Sequence, residues 1–286
     1  MGTSASSAGP GSGVPLVPPW VPPVEPAQPP TGPDGLPPSD NPPAPEAPPQ
    51  NPQQPVPPPV LAPQGRFRGT RVNLGRFGGG GDRDSLRKGL GHYVKHGMGG
   101  AATGARRMAG TARTAGLLHS VLSALSSGQA PPVPLGIDPR NLAGRSAREV
   151  TDVITEAVRP TDGTQDTEAA RAAMYEAQVD LLQQFPNADL AALTAEQIDL
   201  MVERYIAHDL CLRIDLDVGQ SVMAHAPDAA TAIRRLEEIK QYVVQTVAAC
   251  FRQRRPASTR LDQRSVTSLA QSVLRDALDV FEEYIA

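Results

Sequence analysis

The sequence predicts a mainly α-helical protein, with a C-terminal helical bundle preceded by a basic, glycine-rich helical segment and a long, disordered, proline-rich N-terminal tail. Three observations carry that expectation. Apolar residues recur at three- and four-residue intervals through the second half of the chain with no strand-type alternation. Helix caps and prolines bracket those intervals, and the composition breaks sharply near Gln64.

The tail, residues 1–64, holds 23 of the 31 prolines, no Lys or Arg, four acidic residues and a single aromatic, Trp20. Such a stretch has too little apolar surface to bury a core. Proline fixes φ and removes a backbone donor, so Pro57-Pro58-Pro59 and its like favour extended polyproline II. At about 3.1 Å per residue where that conformation holds, the tail reaches on the order of 100 Å.

Residues 65–130 carry eleven Lys or Arg against two acidic residues, a net +9 hidden inside an overall charge of −3. This segment opens as a linker through Arg66, Arg68, Arg71 and Arg76 to the glycine run 78–81. Asp82 or Asp84 then caps a helix with the stripe Leu86, Leu90, Tyr93 and Val94, ending near Lys95, His96 and Gly97. After Gly99-Gly100 comes a second helix, rich in small residues to Gly116 and apolar from Leu117 to Leu125. Small residues permit close backbone approach but weaken an isolated helix, so this one orders against a partner or against its own domain.

Prolines 131, 132 and 134 punctuate the boundary to residues 131–286, where sixteen Lys or Arg face twenty-four acidic residues. Ser146 and Glu149 have capping-box spacing before Val150, Ile154 and Val158, and Pro160 stops that helix. The next carries Met174, Ala177, Leu181 and Phe185 and stops before Pro186. Thr194 and Gln197 repeat the capping-box spacing before Ile198, Met201, Val202, Tyr205, Leu212 and Leu216. Asp228 opens a fourth helix facing Ile233, Leu236, Val243, Val247 and Phe251 inward, with Arg252, Arg254 and Arg255 at its negative end. The last, from about Leu261, carries Val266, Leu269, Val273, Val280 and Tyr284. Five amphipathic helices form a bundle.

Chemical motifs are weak. His92 and His96 share a helix face but lack the Glu and third ligand of a zinc site. Lys88 after the glycine run is followed by Gly89, not by the Ser or Thr of a phosphate loop. Asp215 and Asp217 point apart on a helix, and Asp209, Arg213 and Asp217 form a charge ladder on a solvated face. Cys211 and Cys250 lie in apolar helical patterns and read as buried thiols. The sequence assigns no catalytic residue, cofactor or metal, so the expectation is a non-enzyme. No signal peptide or spanning helix is visible, which reads as soluble and cytoplasmic.

The extreme N-terminus reads either as an unmodified disordered terminus or as a place where chemistry is done to the chain. Gly2 is small enough for removal of Met1, exposing a glycine amine with a pKa of about 8 that is partly nucleophilic at neutral pH. Gly2 with Ser6 also fits the short myristoylation pattern, but three lysines among many arginines and abundant Ala, Pro and Gly point to a high-GC bacterial genome, where that modification is not expected.

Several segments in order carry a family resemblance: Met1-Gly2-Thr3-Ser4, Pro15-Leu16-Val17-Pro18-Pro19-Trp20, Arg66-Phe67-Arg68-Gly69, Gly81-Asp82-Arg83 with Leu86-Arg87, Leu90-Gly91-His92-Tyr93, Leu142-Ala143-Gly144 and Ala169-Ala170-Arg171-Ala172-Ala173-Met174. Together they resemble the QatB family of the bacterial Qat anti-phage defence system. The Pro22–Pro63 stretch is longer than the family leads one to expect. The resemblance implies three neighbours: a KAP-type P-loop ATPase (QatA-like), a QueC-family enzyme (QatC-like) and a TatD-like nuclease (QatD-like). It further implies that the QueC-like enzyme attaches a deazaguanine-type group to the Gly2 amine. On this reading Gly2 is modified, Trp20 anchors a partner, Arg66 and Arg68 join the basic helix around Arg83–Lys95, with Arg83 and Arg87, in a partner-docking surface, and the chain binds the ATPase through either its tail or its bundle. An alternative from another class is nucleic-acid binding by residues 66–113, with Phe67 and Phe77 stacking on bases between the arginines.

Overall fold

The computed structural model describes residues 65–131, 136–142, 144–255 and 261–285. Gly2, Trp20 and the rest of the proline-rich tail lie outside the described residues. Among the described residues there is no strand, and the helices are α1 (Arg68–Gly78), α2 (Arg83–His92), α3 (Ala101–Arg107), α4 (Ala109–Ser126), α5 (Ala147–Val158), α6 (Gln165–Gln184), α7 (Ala195–Ile214), α8 (Gln220–His225), α9 (Ala229–Arg254) and α10 (Gln263–Glu282). All of the described residues belong to one compact unit.

Local chemistry places most helix starts. Both capping boxes form: the Ser146 hydroxyl accepts from the Glu149 N–H while Glu149 accepts from the Ser146 N–H, and Thr194 and Gln197 do the same. Asp82, Asp228 and Asp262 cap α2, α9 and α10 by accepting from the N–H three residues on. Helix α2 does not end at Gly97. It continues through a π turn, Tyr93–Met98, and stops at Gly99, whose φ of +82° is the left-handed value that favours glycine.

A centre of α4, α7 and α10 holds the bundle together. Helix α10 buries Val266, Ala270, Val273, Leu274, Ala277, Leu278 and Phe281 on one stripe and packs on α3, α4 and α9. Helix α7 packs on α4, α6 and α9. The small residues of the second basic helix are explained by this packing, since α4 lies so close to α10 that a Cβ on Gly116 would sit 2.6 Å from the Gln263 carbonyl. The helix that the sequence leaves to order against a partner or its own domain therefore docks on the latter.

Four expectations are corrected. The segment read as a linker before Asp82 contains α1, which pairs with α2 and α8 and buries Leu74 and Phe77. Its glycines cost helix propensity, but a Cβ on Gly78 would sit 2.6 Å from the Val222 carbonyl, so their smallness is what lets α1 seat on α8. Ile233 is 70% exposed, because at the start of α9 the buried stripe runs through Ala232 and joins the expected one only at Val243, Val247 and Phe251. Leu216, expected in a core stripe, is 49% exposed, because α7 passes at Asp215 into a π turn, Asp215–Gly219, that changes the helical phase. Asp209 lies on no solvated face. It is fully buried because α4 covers that side of α7, and its carboxylate accepts from the Thr111 hydroxyl and from Arg213 Nε at 3.2 Å.

The two π turns meet, with the Tyr93 hydroxyl donating to Asp217 at 2.9 Å. This bond ties the end of α2 to the far end of α7, and burial followed by the nearby Asp217 charge raises the Tyr93 pKa well above its usual value. No helix among the described residues is long and apolar enough to cross a membrane.

Candidate docking surface

The cations picked out from sequence divide between two faces. Arg66 and Arg68 line an open groove between the start of α1 and the π turn after α2, together with Val72, His92, Lys95 and His96. Arg83 and Arg87 lie on another face of α2, since the five residues from Arg87 to His92 turn the helix by about 140°. The structure therefore joins the first pair to Lys95 and the histidines and separates it from the second.

Packing fixes the groove. The Arg66 guanidinium lies 4.6 Å over the ring of Phe67, which stacks on Tyr93 with centroids 5.6 Å apart. Lys95 Nζ donates to the Ile285 carbonyl at 3.3 Å, which anchors the cation while leaving two donors free. The His92 and His96 rings stack at 5.4 Å, and His92 Nδ1 is buried without a hydrogen-bond partner among the described residues. Burial, then the His96 and Lys95 charges, lower the His92 pKa.

On the other face, Arg87 lies 5.7 Å from the Tyr284 ring centroid, and its pKa is raised chiefly by hydrogen bonding to the Tyr242 hydroxyl. Arg83 is exposed, and Lys88 pairs with Asp84 at 2.8 Å. Exposed pairs of this kind contribute little stability, so this face is free to exchange its ions for a partner's.

Phe67 and Phe77, read from sequence as base-stacking rings, are buried core residues, and Arg235 covers Phe77 at 4.5 Å. Only the arginines remain available to phosphates. Elsewhere, Cys211 and Cys250 are free thiols, and burial pushes Cys211 up to about 12, far from nucleophilic at neutral pH. Sequence reading places Lys95 at the end of the basic docking helix but misses His96 and Val72 as groove residues. The signal was Arg68 and Val72, four apart, which share a face only once α1 is recognised as a helix.

A family model described as "Qat anti-phage system associated protein QatB" matches residues 99–281, more than half of the chain. That span begins after α2 and covers α3 to α10, so the basic groove borders it. No curated protein and no solved structure matches the chain.

Proposed function

Because the chain belongs to the QatB family of the Qat anti-phage system, we propose that it is a non-catalytic component of the defence complex, modified at its own N-terminus and holding a partner through its basic face. The family match over the helical body carries this reading. In it, a QueC-like enzyme adds a deazaguanine-type group to the Gly2 amine after Met1 is removed. The 62 residues between Gly2 and Gly65 support that role, since they let Gly2 enter a distant active site while the bundle stays docked. Trp20 is the tail's anchor, and the cations of α1 and α2 receive the KAP-type P-loop ATPase; a TatD-like nuclease completes the set.

Substituting Gly2→Glu keeps Met1 in place. Cells carrying this variant with all its neighbours lose protection against phage, measured as plaque counts, while the purified chain melts as the wild type does. Undiminished protection contradicts the reading.

The docking face has its own test. The double substitution Arg66→Glu, Arg68→Glu removes the ATPase from the purified complex at 0.15 M salt and leaves the mass at Gly2 unchanged. A second reading, phosphate binding by the same cations, keeps the charge but has lost the stacking rings. It requires duplex or single-stranded nucleic acid to bind at low salt and to release steeply as salt rises.

A further inference from the structure

A second surface lies away from the basic groove. Helices α1, α7 and α9 and the π turn Asp215–Gly219 enclose a cleft of about 270 Å³ with a floor of Leu74, Ile214, Val222 and Ile239. Ile233 and Leu236 of α9 form one lip. Leu216, within the π turn, and Met223, next in sequence to the lining residue Val222, are further exposed apolar side chains on the elements that form the cleft. Leu216, Met223 and Ile233 are 49%, 60% and 70% exposed, and with Val72 and Val179 they are the exposed large apolar side chains among the described residues. An exposed apolar side chain such as Ile233 at the mouth of an apolar cleft is the kind of surface that marks an interaction site.

Size and shape choose among occupants. Cavities that enclose small ligands usually run from about 300 to 1,000 Å³, and this one is smaller and opens at the exposed apolar lip of Ile233. It fits one or two anchoring side chains on an extended or helical segment better than a compact ligand. Charge narrows the partner further. Glu176 is neutralised by Lys240 at 2.8 Å, whereas Asp215 and Glu237, also on the cleft wall, take part in no ion pair among the described residues. The wall is left net negative.

We propose that this cleft docks a protein segment bearing aliphatic or aromatic anchors flanked by Lys or Arg. Apolar anchors fill the floor between α7 and α9, and the flanking cations meet Asp215 and Glu237. Cys211, which also lines the cleft, donates weakly to the Lys240 carbonyl at 3.7 Å and takes part as a packing surface only.

The test is a random-peptide display selection on the full chain, with counter-selection on Ile233→Asp. That position is already open to water, so the variant keeps its fold. Recovered peptides are expected to share an apolar anchor with adjacent Lys or Arg. Made synthetically and measured by fluorescence anisotropy, they should lose about tenfold or more in affinity with Ile233→Asp. They should lose several-fold with Asp215→Asn, Glu237→Gln, and that second loss should vanish at high salt. Three results overturn the proposal: no Ile233-dependent peptide; saturable binding of the neutral dye Nile red with no peptide, which points to a small apolar ligand; or self-association in sedimentation that Ile233→Asp abolishes, which makes a second copy the occupant.

Discussion

Gly116→Val is expected to lower the melting temperature by about 6–12 °C, from a loss of about 3 kcal/mol in a body of this size. The reason is geometric. At the crossing of α4 and α10, a Cβ on Gly116 would lie 2.1 Å from Thr267 Oγ1 and 2.6 Å from the Gln263 carbonyl. The threonine tip can rotate away, but the carbonyl belongs to backbone in the first turn of α10 and moves only if the helix does. Gly116→Ala makes the sign decisive. In an open helix that change adds about 1 kcal/mol of stability through propensity, and here it should subtract. A thermal melt showing Gly116→Ala at or above the wild-type temperature means α4 and α10 do not approach this closely.

Asp209→Ala should cost about 3–5 kcal/mol, the penalty for removing one partner of a buried ion pair. The carboxylate is fully buried, and its loss leaves the Thr111 hydroxyl and Arg213 Nε without an acceptor. Arg213 keeps Asp166 at 2.7 Å, which places the effect toward the lower end. Asp209→Asn keeps the shape and an acceptor and should cost less. Urea unfolding of Asp209→Ala, Arg213→Met and the double variant separates the terms, since coupling of at least about 1 kcal/mol is expected between groups in contact. Additive losses would mean the pair does not interact.

These two sites also show where the sequence stops being legible. Helices α5, α7, α9 and α10 could be read because their starts are local: Ser146 with Glu149, Thr194 with Gln197, and Asp228 and Asp262 act within three residues. Asp209 was misread because Arg213 four residues on is the sign of an exposed pair, while what buries it is Thr111, 98 residues away. Helix α1 was hidden by its own glycines, which look like linker until Val222 supplies the close neighbour that explains them. The same limit governs the candidate surfaces. The arginines were legible, but the groove in which α1 sets Arg66 and Arg68 beside Lys95 and the two histidines was not, and the apolar cleft gathers residues from Leu74 to Lys240 that no local pattern connects.

The central claim is that this chain is acted on at Gly2. Its most direct test is the intact mass of the protein, with fragmentation of the N-terminal peptide, after expression with its neighbouring genes and again without the QueC-like enzyme. Loss of Met1 is expected in both cases, with an added mass localised to the Gly2 amine only when that enzyme is present and active. An unmodified Gly2 in the presence of all active neighbours would contradict it.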